Sequence, residues 1–314
     1  MSDTWNSFLA EHQPLLAWPQ LENKLSIMPL TGMSMLEING DDASGFLQNL
    51  LTNDVDALQV NQSQLSGFCN AKGRLFAIFL LIKRSNNYQI LLPTQMISSL
   101  VLRLSMYILR SKVQINNVTS HYVLLGLHHL ARPINNDASE THYLLHPADN
   151  TRTICITTTD MAVKIATDLL AKKWQLTSEN YWQLLDIQAG LPMIFPETKE
   201  SFTPQQVNFD LVGGVSFSKG CYPGQEVVAR LHYLGTPSRR LFSANAESTK
   251  LPKQGNEVLL DDGTHAGDIV MTQNLTSDGI KLLISLKISA HDKPLFLGNN
   301  TPLDNVTNLA DTSP

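Results

Sequence analysis

Ser216–Arg230 reads SFSKGCYPGQEVVAR, and the chain changes character on either side of it. Gln225 to Tyr233 is a run of helix formers, and Pro223 suits a first helical position, where its missing N–H costs nothing. Cys221 then lies just ahead of a helix N-terminus, between Gly220 and Gly224 and two places after Lys219. Beyond Pro237 the pattern becomes a series of short strands: Arg240–Ala244, Glu257–Leu260, Gly267–Met271, Ile280–Ser285 and Pro294–Leu297. Turns at Asp261-Asp-Gly263 and Ser277-Asp-Gly279 punctuate them. Such spacing predicts a small β-barrel.

Upstream, helices and strands mix. The first twenty residues suggest a short helix and then an extended arm, broken at Pro14 and carrying Leu15, Leu16 and Ala17. Met33–Ile38 alternates as a strand, Asn39–Asp42 turns, and Phe46, Leu47, Leu50 and Leu51 share one helical face. Gln64–Asn70, Arg74–Lys83 and Tyr88–Leu92 read as an antiparallel meander, with the run Leu75–Ile82 as a buried strand. That run is far shorter than the ~18 residues of a membrane span. A helix is expected from Thr94 to about Arg110, and strands at Lys112–Ile115, Tyr122–Leu127, His142–Leu145 and Ile154–Thr157. Two further helices follow, Asp160–Trp174 and Glu179–Ala189, the second stopped by Gly190 and Pro192.

The 314 residues, 43% hydrophobic and 16% charged, fit a soluble globular protein. Asp3 and Glu11 precede the first cation, Lys24, and the first arginine is Arg74, a pattern unlike a signal or transit peptide. Cytoplasmic residence is expected. Cys69, Cys155 and Cys221 are widely spaced with no C-x-x-C pair, which argues against a disulfide framework or a self-contained zinc site. The net charge is -5, yet Ala57–Asn136 contains no acid and carries Lys72, Arg74, Lys83, Arg84, Arg103, Arg110, Lys112 and Arg132. Either these cations are scattered on solvated faces, or they form a positive region that receives an anion: a polyglutamyl tail, RNA or an acidic partner.

Positive partial charge at a helix start, together with Lys219, favours thiolate over thiol at Cys221, and a thiolate is a nucleophile or a soft-metal ligand. A packing cysteine in a glycine-rich turn is the alternative. Lys219-Gly-Cys-Tyr-Pro-Gly-Gln-Glu226 resembles the K-G-C-(Y/F)-x-G-Q-E signature of the YgfZ family of folate-binding proteins, relatives of the glycine-cleavage T-protein. Phe46–Val55 (FLQNLLTNDV), Cys69–Arg74 (CNAKGR), Trp182–Pro192 (WQLLDIQAGLP) and Phe209–Phe217 (FDLVGGVSF) resemble further family segments in the same order. The likeness spans roughly residues 30 to 300.

The resemblance implies an α+β fold of antiparallel sheets and helices, T-protein-like over residues 1–237, with a β-barrel over 238–305 and a polar tail over 306–314. It implies a bound tetrahydrofolate or one-carbon derivative. Its contacts would be Trp182, Met33 (where some members place a second aromatic), Gln225, Glu226 and Arg74. Three of these have a plainer reading: Trp182 as core, Arg74 with Lys72 as a solvated hairpin turn, Glu226 as a complement to the helix dipole; Asp54, in the early segment, is likewise read as a turn residue. Cys221, with Lys219, becomes the functional pair of an accessory factor for iron–sulfur enzymes, so that tRNA methylthiolation is affected indirectly.

One thiolate cannot hold a cluster that usually takes four cysteines, so a carrier or client protein must share it. The alternative is a folate-dependent aminomethyl transferase, which needs a carboxylate in the N-terminal half. The acid-free stretch offers none, and Asp54 or Asp56 would have to substitute. Direct RNA binding, by Arg230, Arg239 and Arg240 beside Cys221, ranks last in a chain of negative net charge.

Overall fold

The computed structural model describes residues 3–14, 25–129 and 141–310. In chain order these form α1 (Asp3–His12), β1 (Ser26–Pro29), β2 (Met33–Asn39), α2 (Ala43–Gln48), β3 (Ser63–Cys69), β4 (Leu75–Lys83), β5 (Asn87–Pro93), α3 (Ile97–Ile108), β6 (Gln114–Asn117), β7 (Val123–His128) and β8 (Thr141–His146). There follow β9 (Asp149–Thr157), α4 (Thr159–Ala171), β10 (Gln175–Leu176), α5 (Glu179–Gln188), α6 (Gln225–Tyr233), β11 (Arg239–Glu247), β12 (Glu257–Leu260), β13 (His265–Asn274), β14 (Gly279–Lys287), β15 (Leu295–Leu297) and β16 (Asp304–Asn308). No described helix is long and apolar enough to cross a membrane.

The fold is α+β, built on three sheets. The first runs β10-β1-β7-β9-β8 and holds a parallel pair, β1 with β10. Helices α1 and α4 cover it, with Trp5, Phe8, Ala162 and Ala166 set against Ile27, Leu125, Leu127 and Cys155. The second sheet, β3-β4-β5-β2-β6, is the predicted meander. Its β4 is buried at every position from Leu75 to Ile82, because side chains on both pleat faces meet core. The third, β15-β12-β13-β14-β11-β16, is antiparallel and curls into a half-barrel around Phe242, Ile269, Ile280 and Ile284. Helix α5 joins the layers by packing on β1, β13 and β14, and it stops where expected, at Gly190 with φ +66°.

Three expectations are corrected, and two strands are added to those expected. Residues 94–96 are a 3-10 turn, and the α-helix starts at Ile97. The tail assigned from residue 306 begins inside β16, which pairs with β11; this polar strand has backbone pairing in place of apolar alternation. Strands β1 and β10 went unread because both are short. Pro223 lies before the helix: the N-cap is Gly224, in the left-handed region, and Gln225 opens the first turn. The proposed arm at residues 15–17 and Arg132 lie outside the described residues.

Candidate functional site

A helix brings residues three, four and seven apart to one face. On α5 that face carries Glu179, Trp182, Gln183 and Asp186, and all four line a cavity of about 140 Å³ closed on other sides by Met33, Phe195 and Met271. Trp182 approaches β7 this closely only because residue 126 is glycine: a Cβ there would come within 2.4 Å of the indole. The guanidinium of Arg152 lies over the indole, 4.7 Å from the ring centroid.

Arg152 is fully buried on β9. It donates to Asp186 Oδ1 and to Asp149 Oδ2, each at 2.6 Å, while its Nη2 has no hydrogen-bond partner among the described residues. A buried guanidinium needs such paired carboxylates, since an isolated charge is costly to desolvate. His146 stands edge-on to the indole at 6.0 Å.

Electrostatics give the cavity acceptor character. Burial pushes the Glu179 carboxyl above the usual carboxylate range, against the pull of the Gly32 N–H, which it accepts at 2.6 Å. Burial also raises Asp186, opposed by Arg152. Burial works to raise Asp149 too, but Arg152 and the Thr151 hydrogen bonds outweigh it and the net shift is downward. Burial, then the nearby Arg152 charge, holds His146 well below its ordinary value, so its imidazole is neutral. Among the described residues no lysine or arginine lines the cavity.

Of the residues singled out in the sequence, Trp182 and Met33 line this cavity. Arg74, Lys219, Cys221, Gln225 and Glu226 do not; they belong to a second locality. Arg74 donates to the Ser201 carbonyl, Gln225 reaches the Lys219 carbonyl at 3.5 Å, and Glu226 is an exposed residue in the first turn of α6. Asp54 is a turn residue, its Oδ1 accepting from Gln48 Nε2 and from the backbone of Asp56 and Ala57. Asp56 accepts from Ser44, and neither aspartate lines the cavity.

The glycines of the cysteine loop have unequal tasks. Gly224, at φ +81°, lies backbone-to-backbone on the turn before β4: a Cβ would stand 2.3 Å from the Asn70 carbonyl and 2.5 Å from Gly73 N. Gly73 is likewise left-handed and faces Val227 on α6. Nothing lies within 4 Å of a Cβ at Gly220. Two motifs far apart in sequence thus dock through facing glycines.

Lys219 has partners outside the cysteine loop. Its ammonium is buried and donates to the carbonyls of Gln48 (2.5 Å), the last residue of α2, and of Leu51 (2.6 Å) and Asn53 (3.1 Å) in the segment that follows it. A helix-end carbonyl lacks an intrahelical partner, and a cation there satisfies it and the helix dipole. Lys219 therefore ties the cysteine loop to the end of α2 and the turn beyond it. Nearby, Thr52 Oγ1 donates to Gly214 O and accepts from Gly67 N, and Asn53 Nδ2 donates to Leu65 O and Gly213 O.

Cys221 is exposed, while Cys69 and Cys155 are buried with thiols pushed up to about 12 by burial. Among the described residues no three His, Cys, Asp or Glu side chains gather so as to hold a metal ion. The donor set fits no resident cluster; at most Cys221 supplies one ligand of a shared one.

Glu179, Asp186, Arg152 and Gly126 escaped the sequence reading. The helical spacing of the two carboxylates about Trp182 was an available signal. Arg152 and Gly126, which come from other strands, gave none.

The GCVT N-terminal domain family matches residues 17–128. The tRNA-modifying protein YgfZ of Edwardsiella ictaluri is 30% identical over 319 residues, covering 95% of this chain and 92% of that protein. The same-named protein of Klebsiella pneumoniae is 29% identical over 291 residues, covering 82% and 88%. The glycine cleavage system aminomethyltransferase T of Bartonella henselae has the same fold, with a TM-score of 0.66 at 13% identity, over 96% of this chain and 88% of that one.

Proposed function

Because this chain belongs to the family of the tRNA-modifying protein YgfZ, we propose that it is a folate-binding accessory factor acting through Cys221. The cavity beside Trp182 carries the reading. It offers a flat indole and a thioether for a pterin ring, and acceptors at Glu179 and Asp186 for the ring's amino and N–H donors. The orphaned Arg152 Nη2 beside the indole is the kind of donor that a ring oxygen or nitrogen satisfies.

Tetrahydrofolate or a one-carbon derivative is the ligand proposed. The Arg152 charge is already balanced by Asp149 and Asp186, and no other lysine or arginine among the described residues stands at the cavity, so affinity is expected to vary little with salt. Exposed Cys221 contributes one thiolate to an iron–sulfur cluster shared with a carrier or client protein, and tRNA modification is affected through that client. The protein works in the cytoplasm in this reading.

Titration of the full chain with tetrahydrofolate, followed by indole fluorescence and calorimetry, tests the cavity. Saturable binding that is lost in Trp182→Ala is expected; equal affinity in that variant removes the residue from the site. A second reading, one-carbon transfer by this chain, is favoured by one observation: α5 supplies the cavity carboxylates that the N-terminal half lacks. Consumption of methylenetetrahydrofolate by the purified chain, abolished in Glu179→Gln or Asp186→Asn, would establish it.

A further inference from the structure

Met33 borders two voids. On one side is the cavity beside Trp182; on the other, about 40 Å³ is enclosed by Trp5, Thr31, Met35, Thr119 and Val123 among others, and Met33 is the residue the two walls share. The second void is too small for a ring but exceeds the roughly 10–15 Å³ that a single water needs. Trp5 is fully buried on it, and its indole N–H has no partner among the described residues. The neighbouring hydroxyls are committed: Thr31 Oγ1 donates to Glu179 and Thr119 Oγ1 accepts from Met35 N.

The main cavity, at about 140 Å³, falls below the about 300–1,000 Å³ of pockets that enclose a whole ligand. Admitting a bicyclic ring requires a wall to move. Met33 is half-buried and unbranched, and a methionine side chain rearranges readily into an irregular gap.

We propose that Met33 is a movable partition and Trp5 the second indole of the ligand site: the pterin ring enters as the Met33 thioether retreats onto Trp5. Met33 and Trp5 thereby decide which ring systems are admitted. This rests on the folate reading of the cavity.

The test uses the full chain labelled with 5-fluorotryptophan, its Trp5 and Trp182 resonances assigned from Trp→Phe variants, and tetrahydrofolate as the probe. Both resonances are expected to shift on saturation. Val123→Ile, which adds a methyl to the void behind Met33, should weaken binding about tenfold, and Met33→Ala in that background should restore it. A Trp5 resonance that stays fixed while that of Trp182 moves overturns the partition and leaves the folate site standing. Wild-type affinity in a folded Val123→Ile protein does the same. If neither resonance moves and no binding is detected, the folate reading itself fails and the partition with it.

Discussion

Replacing Gly224 with alanine separates scaffolding from chemistry in the cysteine loop. At φ +81° a residue with a Cβ pays about 1–2 kcal/mol. The new methyl would sit 2.3 Å from the Asn70 carbonyl and 2.6 Å from the Gly73 Cα, and backbone atoms cannot yield as a side-chain tip can. Overpacking of that kind costs about 1–3 kcal/mol, while the stiffer unfolded chain returns about 0.4–1 kcal/mol. A net loss of about 3 kcal/mol follows, and at about 2–4 °C per kcal/mol for chains of this order the melting temperature should fall by about 6–12 °C.

Gly220→Ala is the internal control. Its Cβ would meet nothing within 4 Å, so a change below about 0.5 kcal/mol is expected. Urea unfolding measures both, and the alkylation rate of Cys221 in the folded protein reports whether the loop has lifted from the Asn70–Gly73 turn. Equal stability of the two variants would show that the glycine contact is not what seats the loop.

Lys219→Met strips three carbonyls of their buried cation and should cost about 3 kcal/mol, at the upper range for charged hydrogen bonds; a slowed alkylation of Cys221 in the folded variant, with stability retained, would instead restore a role for Lys219 at the thiol. Tetrahydrofolate affinity should fall as pH is lowered through the raised pKa of Glu179, because its acceptor is lost on protonation. Over the same interval the folded protein binds more protons than the unfolded chain, so this group's contribution to stability rises as pH falls. Glu179→Gln should flatten both trends down to what Asp186 contributes, and an unchanged binding profile in that variant counts against the contact. Cys221→Ser should leave fold and folate affinity intact while abolishing cellular tRNA methylthiolation, serine being neither thiolate nor soft ligand; full activity of the variant in cells would return the cysteine to a packing role.

The sequence by itself determined the meander, the helix over Glu179–Ala189 and the strand-rich C-terminal part, because periodicity and turn residues are local signals, while the α+β class came with the family resemblance. The resemblance singled out Trp182 and Met33, which line the cavity, and the helix formers after Pro223 set Cys221 beside a helix start. Tertiary structure decided the rest. The Trp182 indole on α5 takes its cation contact from Arg152 on β9 and its close approach to β7 from Gly126, brought together by folding across distances that carry no periodic trace. Lys219 stands two residues from Cys221, yet its ammonium is bonded to the carbonyls of Gln48, Leu51 and Asn53, far upstream in the chain, a pairing that only the fold creates. In sequence Gly220 and Gly224 flank Cys221 alike; in the folded chain a Cβ at Gly224 would strike the backbone of Asn70 and Gly73, while one at Gly220 would meet nothing within 4 Å among the described residues. Strand β16 was hidden for a related reason: a sheet edge needs only backbone N–H and C=O groups to pair, and those are the same in every residue but proline.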